Sequence, residues 1–467
     1  MMNYIGGNWE KGLGATYASI NPRNETILWE GNYASKDQIK SAIDCASQAH
    51  FKWSSLSFKE RLEIIKNFYN LLEKNAQTVS EIIALETGKV DHDAESEVSA
   101  ARAKLKNVLD AYEDRTGAKK NVTNIMETSL THHSLGVVCV IGPFNFPLHL
   151  PNGQITPSLL AGNTVIFKPS ESTPLISEYM MMLWEEAGIP KGVINLLHGK
   201  KWVVQNLVKH SKIKGIFFTG GYDAGRSIHA SVSGEIDKLV ALELGGINPI
   251  VVWNTNKIKQ VKNIILESAF ISTGQRCTCA RKLILPKNKY GKKILDSIKK
   301  DLGDPSITNH FLGPLISNEA RLKVISQQKK LEKIGARIIK ESKVPKGKGF
   351  FITPGLIDST NLKERFDEEI FGPILQVHFV GSFSEAIDEA NNTKFGLAAS
   401  LISDSRPLFD EFHSSINSGL VNFNATTTGA SGALPFGGVG KSGNYRPAGF
   451  YAADFCAWPK SSVLKKL

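Results

Sequence analysis

Cysteine is scarce in this chain, and the five present, Cys45, Cys139, Cys277, Cys279 and Cys456, form an odd and widely spaced set. Such a set does not read as the paired framework of a small secreted domain, so a reducing compartment, the cytoplasm, is expected. Long apolar runs are missing too. No stretch approaches the roughly eighteen apolar residues of a spanning helix, and residues 1–10 offer no basic segment followed by an apolar core, so neither membrane insertion nor secretion is expected. Internal repeats, low-complexity blocks and Pro/Ser linkers are also absent, which leaves short crossings as the joints between domains.

Charge is present, and it is unbalanced. The chain has 56 basic and 45 acidic residues, a net charge of +11, a balance that can mark nucleic-acid binding. The basic residues are scattered, however. Their longest clusters are the pairs Lys119-Lys120, Lys299-Lys300 and Lys329-Lys330, without an aromatic-basic motif, so no nucleic-acid partner is expected and a preference for anionic small molecules remains. An apolar fraction of 42% and a charged fraction of 22% fit a soluble enzyme. At 467 residues the chain exceeds what one core usually supports, so two or more domains are expected.

Apolar residues recur at helical spacing over 36–75 and 79–112, which predicts an opening run of amphipathic helices. Short apolar runs follow at 136–141, 164–167, 193–197 and 213–218, separated by helical stretches at 175–188 and 202–210. Strands of about five residues alternating with helices imply βαβ units, a buried parallel sheet, and ligands beyond the carboxyl ends of its strands, where Asn145, Lys168 and Gly220 fall. A second α/β stretch begins after Gly246, with strands at 248–253 and 282–285 around a helix at 258–273. Cys277 therefore lies in a helix-to-strand turn. The polar, β-branched segment 115–133 predicts a hairpin outside the sheet, either a solvated excursion or an oligomer contact.

Two residues offer chemistry. A thiolate at Cys277 can attack a carbonyl, and a carboxylate at Glu243 can later activate the water that releases the acyl group. Each has an ordinary alternative: a packed structural cysteine, and a strand-end surface carboxylate. Arg276 beside the thiol would favour its ionised form. Cys277-x-Cys279 has no second Cys or His pair at ligand spacing, so no metal is expected.

Seven ordered blocks then carry a resemblance: Pro143-Phe144-Asn145-Phe146-Pro147, Lys168-Pro169-Ser170-Glu171, Phe218-Thr219-Gly220, Leu242-Glu243-Leu244-Gly245-Gly246, Gly274-Gln275-Arg276-Cys277, Glu369-Ile370-Phe371-Gly372-Pro373 and Pro435-Phe436-Gly437-Gly438. The chain resembles the aldehyde dehydrogenase superfamily over nearly its whole length. Within it, the run His149-Leu150-Pro151-Asn152-Gly153, the run 276–281 and the tail 451–459 look most like the branch that oxidises N-succinylglutamate 5-semialdehyde in arginine catabolism.

The resemblance implies an α/β aldehyde dehydrogenase-like fold with a Rossmann-type NAD-binding domain (1–114 and 134–245), an α/β catalytic domain (246–434) and a β oligomerisation arm (115–133 and 454–467). Residues 435–453 would return to the NAD-binding domain, and a homodimer or dimer of dimers would form. It implies Cys277 as nucleophile in preference to Cys279, which would be packing or a target for oxidation. Asn145, with the Cys277 N–H, would form the oxyanion hole, although an Asn bracketed by prolines also stabilises turns. Glu243 would be the hydrolytic base, in contrast to the branch that passes the acyl group to coenzyme A. Glu369 would orient the nicotinamide ribose with Phe371 packed nearby, leaving Glu368 solvated.

No Gly-x-Gly-x-x-Gly follows the first sheet strand. By resemblance Gly220 and Gly225 form a Gly-x-x-x-x-Gly turn near the pyrophosphate, with Gly221 where a Ser is common. Lys168, Ser170 and Glu171 would belong to the same cofactor site. Lys168 and Glu171 would reach the adenosine ribose, where a carboxylate repels a 2′-phosphate and so favours NAD over NADP. For the two carboxylates of the substrate, Arg276 and Arg446 are the candidate cations, each with an ordinary ion pair as its alternative. A cysteine hydrolase would need a histidine base, and none of the 11 histidines sits in a recognisable partner motif. A non-catalytic scaffold would be expected to have lost the nucleophile or the base.

Overall fold

The computed structural model describes residues 2–465. Met1, in the segment expected to bind the cofactor, and residues 466–467, in the segment expected to form the arm, lie outside the described residues. Five helices open the helical part of the chain, Lys36–Ser55, Phe58–Lys74, Ala76–Thr87, Asp91–Arg102 and Lys104–Ala111. Ser35 and Ser57 start the first two with reciprocal capping boxes, in which Gln38 and Glu60 return a side-chain bond to the cap N–H.

The first sheet sets five parallel strands in the order Leu239–Glu243, Ile213–Thr219, Val137–Ile141, Thr164–Lys168, Ile194–Leu196, extended antiparallel by Met2–Ile5 and Asn8–Lys11. Chain order reverses at Val137–Ile141, beside Ile213–Thr219. Such a switch point opens a crevice at the carboxyl ends of the two strands. Alternate residues of the strand 137–141 enter two different cores. Val138 and Val140 pack with Val108, Ile155 and Leu159 of the helices on one face, and Val137, Cys139 and Ile141 pack with Val203, Leu207 and Ile228 on the other.

A second seven-stranded sheet runs Arg337–Lys340, Gly355–Asp358, Ile374–Val380, Ala280–Pro286, Asn248–Val252, Ala398–Ile402, Leu420–Phe423, parallel except at its first pair. Leu244 N–H donates to the Ser442 carbonyl at 3.0 Å, and Asn444 accepts from Leu242 N–H and donates to the Val240 carbonyl, so the chain after Leu434 returns to the edge of the first sheet. A third sheet pairs Lys119–Val122 with Met126–Ser134, and Met126–Ser134 with Ala457–Lys465 along nine residues. Arg115 grips Asp454 through two hydrogen bonds at its root.

Two expectations need correction. The N-terminal strands Met2–Ile5, Asn8–Lys11, Thr16–Ile20 and Ile27–Asn32 precede the helices, where no strand is predicted; several are half-polar and exposed, and so carry no apolar run. The helix predicted over 258–273 ends at Phe270. Ser272 and Thr273 then adopt left-handed φ of 52° and 56°, a conformation costing roughly 1–2 kcal/mol per residue. Tertiary bonds offset that cost. Ser272 Oγ donates to Asp93 at 2.5 Å, and Thr273 Oγ1 exchanges hydrogen bonds with Gly313. The kink turns residues 275–278 into the crevice. Among the described residues, no helix is long and apolar enough to cross a membrane.

Candidate active site

The crevice has a volume of about 1660 Å³ and wraps around the carboxyl edge of the first sheet. Lining residues come from helices on both faces: Tyr222–Ser231 and Lys201–Val208 on one, Lys104–Ala111 and His149–Leu160 on the other. Asn145, Glu243 and Cys277, far apart in sequence, all line it.

Cys277 is half-buried at the end of the kinked turn. Asn248 holds that turn from the adjacent strand, its amide donating to the carbonyls of Cys277 at 2.7 Å and Cys279 at 2.8 Å. Burial first, then the charges of Glu369 and Glu243, push the thiol up to about 12, and Arg281 opposes them. The expectation that Arg276 activates this thiol fails here. Its guanidinium is engaged by the buried Asp93 at 2.5 Å and by Ser272 Oγ at 2.8 Å. Cys279 is fully buried.

Glu243 ends its strand but is no surface carboxylate, with 6% exposure. Its Oε1 accepts from the Ala448 N–H at 3.2 Å, and Oε2 has no partner among the described residues. Burial raises its pKa well above the usual carboxylate range, against the pull of the Ala448 N–H. A buried carboxylate with a free oxygen is suited to take a proton from a water molecule. Asn145, also 6% exposed, donates one amide hydrogen to the Gln275 carbonyl at 2.9 Å. Its second amide hydrogen remains available for an oxygen in the crevice.

The opposite end of the crevice fits a dinucleotide. Gly221 precedes the helix Tyr222–Ser231 without any side-chain cap, and a Cβ built on it would meet nothing within 4 Å. A helix N-terminus with its N–H groups uncapped and open space before it suits a pyrophosphate. Gly225 packs one turn later under Leu244 and Phe218. The Gly220 N–H donates to the Glu243 carbonyl at 3.0 Å, which couples the turn to the strand end that carries Glu243. Lys168 is buried, donates to the Gly199 carbonyl at 3.0 Å and lies 3.8 Å from Glu171; Ser170 Oγ accepts from the Ser172 N–H. Of the predicted cofactor residues, Lys168, Ser170, Glu171, Gly220 and Gly221 line the crevice and Gly225 does not.

Glu369 sits directly against the backbone of Gly245, where a Cβ would lie 1.7 Å from its Oε2. Arg281 holds its other oxygen at 3.2 Å and stacks over Phe371. Burial raises the Glu369 pKa, and Arg281 counters it. Glu368 is exposed and pairs with Lys330 at 3.2 Å. Arg446 does not reach the crevice. It is exposed, and among the described residues it donates only to the carbonyl of Tyr445.

Three residues escape sequence reasoning. Arg281 lies in a quoted run, yet nothing local shows that it joins Glu369 to the Gly274 and Arg276 carbonyls. Lys104 and His149 line the crevice on the face opposite the helix Tyr222–Ser231. A lysine in an amphipathic helix ordinarily reads as solvated, and only the packing shows this one 7% exposed.

Comparison with known proteins gives a consistent answer. The model described as Aldehyde dehydrogenase family matches residues 9–461. A betaine aldehyde dehydrogenase from Staphylococcus aureus, solved in complex with NAD+, is 26% identical with a TM-score of 0.92, covering 99% of this chain and 94% of that one. An indole-3-acetaldehyde dehydrogenase solved with NAD+ is 27% identical at a TM-score of 0.92, covering 100% and 96%. An E. coli NADP dependent enzyme is 26% identical at 0.92, covering 100% and 98%.

Proposed function

The chain belongs to the aldehyde dehydrogenase family, and from that premise we propose that it oxidises N-succinyl-L-glutamate 5-semialdehyde to N-succinyl-L-glutamate with NAD, a step of arginine catabolism. The observation that carries the chemistry is the convergence of Cys277, Glu243 and Asn145 in one crevice beside an uncapped helix N-terminus. The substrate rests on the runs at 149–153, 276–281 and 451–459, and on the cationic residues of the substrate face. The same face favours a second reading, another anionic semialdehyde such as that of succinate or glutamate.

Once its proton is lost, Cys277 Sγ attacks the aldehyde carbon and the carbonyl oxygen becomes an alkoxide. The Asn145 amide and the Cys277 N–H stabilise that charge in a setting already arranged for it. Nicotinamide, when bound, supplies the hydride acceptor. When bound, the cofactor would be held by the N–H groups after Gly221, by Lys168, Ser170 and Glu171, and by Glu369 beside Phe371. With the carbonyl restored, Cys277 carries a thioester. Glu243 takes a proton from water, the resulting hydroxide attacks the acyl carbon, and the C–S bond breaks to release a free acid.

The exposed strand Ala457–Lys465 leaves one edge without a partner strand among the described residues and displays Trp458, Val463 and Leu464. Such an edge supports assembly into a homodimer or dimer of dimers. Five free thiols support a cytoplasmic setting. A panel of aldehydes with NAD, followed by NADH absorbance, tests the substrate: N-succinylglutamate semialdehyde should give the highest kcat/KM, above the succinate, glutamate and betaine aldehydes. A preference for betaine aldehyde would overturn the assignment to an anionic substrate.

A further inference from the structure

The substrate face of the crevice holds a buried charge group that does not balance. Lys89 pairs with Glu97 at 2.6 Å and Arg276 pairs with Asp93 at 2.5 Å, all four buried or nearly so. Both carboxylates are fully used. Glu97 also accepts from the Leu148 and His149 N–H groups, and Asp93 from Ser272. Lys104 is a third cation on this face, 7% exposed, with no hydrogen-bond or ion-pair partner among the described residues. Three cations against two carboxylates leave one positive charge, and it faces the cavity.

Space is reserved for that ammonium. It lies over Gly153 of the helix His149–Leu160, where a Cβ would come 3.3 Å from Nζ. Beside it His149 also lines the crevice, and its Nδ1 is buried without a partner. Burial, then the charges of Lys104, Lys89 and Arg276, hold His149 well below its usual pKa, so the ring is neutral and offers a hydrogen bond without adding charge. Burial alone pulls Lys104 down to about 8, since no anion opposes it. An unpaired buried charge is costly, and breaking a local rule without compensation within the fold points to a ligand that supplies it.

We propose that Lys104, assisted by His149, receives a carboxylate of the aldehyde substrate and sets the preference of the enzyme for anionic over neutral aldehydes. This rests on the assignment of the crevice to an aldehyde dehydrogenase, and it replaces Arg276 and Arg446 as the carboxylate-binding residues. One uncompensated charge takes one carboxylate into the buried part of the site. The second carboxylate of a dianionic aldehyde stays nearer the mouth.

The test compares N-succinylglutamate semialdehyde and succinate semialdehyde with butanal, in which a methyl group stands where succinate semialdehyde has its carboxylate. In Lys104→Met holoenzyme with NAD, the ratio of kcat/KM for either carboxylate aldehyde to that for butanal should fall about 10- to 100-fold, the effect of one charged hydrogen bond. Lys104→Arg should restore part of it. An unchanged ratio, with all three substrates losing equally, would give Lys104 a purely structural role and overturn the proposal. If Lys104→Met does not fold, Lys104→Gln, which keeps a polar end without the charge, should lower the same ratio, and no change there is equally fatal. Should the wild-type enzyme accept succinate semialdehyde through Lys104 but reject N-succinylglutamate semialdehyde, Lys104 keeps its role and the substrate named above falls. A wild-type preference for butanal over both sinks the proposal itself.

Discussion

The Asn145 side-chain amide donates to the Gln275 carbonyl across 2.9 Å, joining two residues 130 positions apart. The bond ties the loop leaving the first sheet to the loop that carries Cys277, so the proposed oxyanion donor and the proposed nucleophile are held in register by one contact. Asn145→Ala should lower the rate of the first NADH release by roughly 10²- to 10³-fold, the usual effect of removing an oxyanion donor. Stopped-flow measurement at saturating NAD checks this, and a change in NAD affinity alone would assign Asn145 to the turn.

Glu243→Gln should still acylate Cys277 and release one equivalent of NADH in a burst, followed by slow turnover. Intact-protein and peptide mass spectrometry should find the acyl group on Cys277; finding it on the buried Cys279 would mean that the wrong thiol has been assigned.

The pH dependence follows from the same carboxylate. Burial raises the Glu243 pKa, so its basic form is depleted at low pH and gains as pH rises through that raised value. Wild-type deacylation should therefore keep climbing with pH above the range in which an ordinary carboxylate is already ionised. Glu243→Gln should flatten that climb, and a variant that keeps the wild-type slope would move the titration to another group.

Glu171 stands 3.8 Å from the buried Lys168, with its side chain 41% exposed. Glu171→Gln should narrow the gap in kcat/KM between NAD and NADP, by a modest factor because solvent screens an exposed carboxylate. Equal use of both cofactors by the wild-type enzyme would leave that carboxylate without a role in selection.

Arg276→Ala should act on stability before specificity, because it strands Asp93 as a buried charge at a cost of about 3–5 kcal/mol. Thermal unfolding should show a lowered Tm, with losses of similar size on anionic and neutral aldehydes. Asp93→Asn combined with Arg276→Ala should recover part of the Tm. Arg446→Ala, outside the crevice, should leave the substrate ratios where they are.

The amino-acid order alone made the parallel strands legible, because a strand buried on both faces must be a short run such as Val137-Val138-Cys139-Val140-Ile141 closed by a turn. The resemblance carried by its ordered blocks, and not local residue type alone, singled out Cys277, Glu243 and Asn145, and the fold brings all three to one crevice. Which cations are free is a different kind of question. Arg276 and Lys104 are both basic residues near the site, and nothing within a few positions of either distinguishes them. Tertiary structure decides it by placing Asp93 183 residues away from Arg276 in sequence and 2.5 Å away in space, while among the described residues no acid pairs with Lys104. The left-handed Ser272 and Thr273 belong to the same class: their intrinsic preference opposes that conformation, and it is held by tertiary hydrogen bonds, from Ser272 Oγ to Asp93, from the Thr273 N–H to the Phe311 carbonyl and between Thr273 Oγ1 and Gly313. Local chemistry and periodicity travel with the sequence, whereas charge pairing and strain depend on which distant segments the packed core brings together.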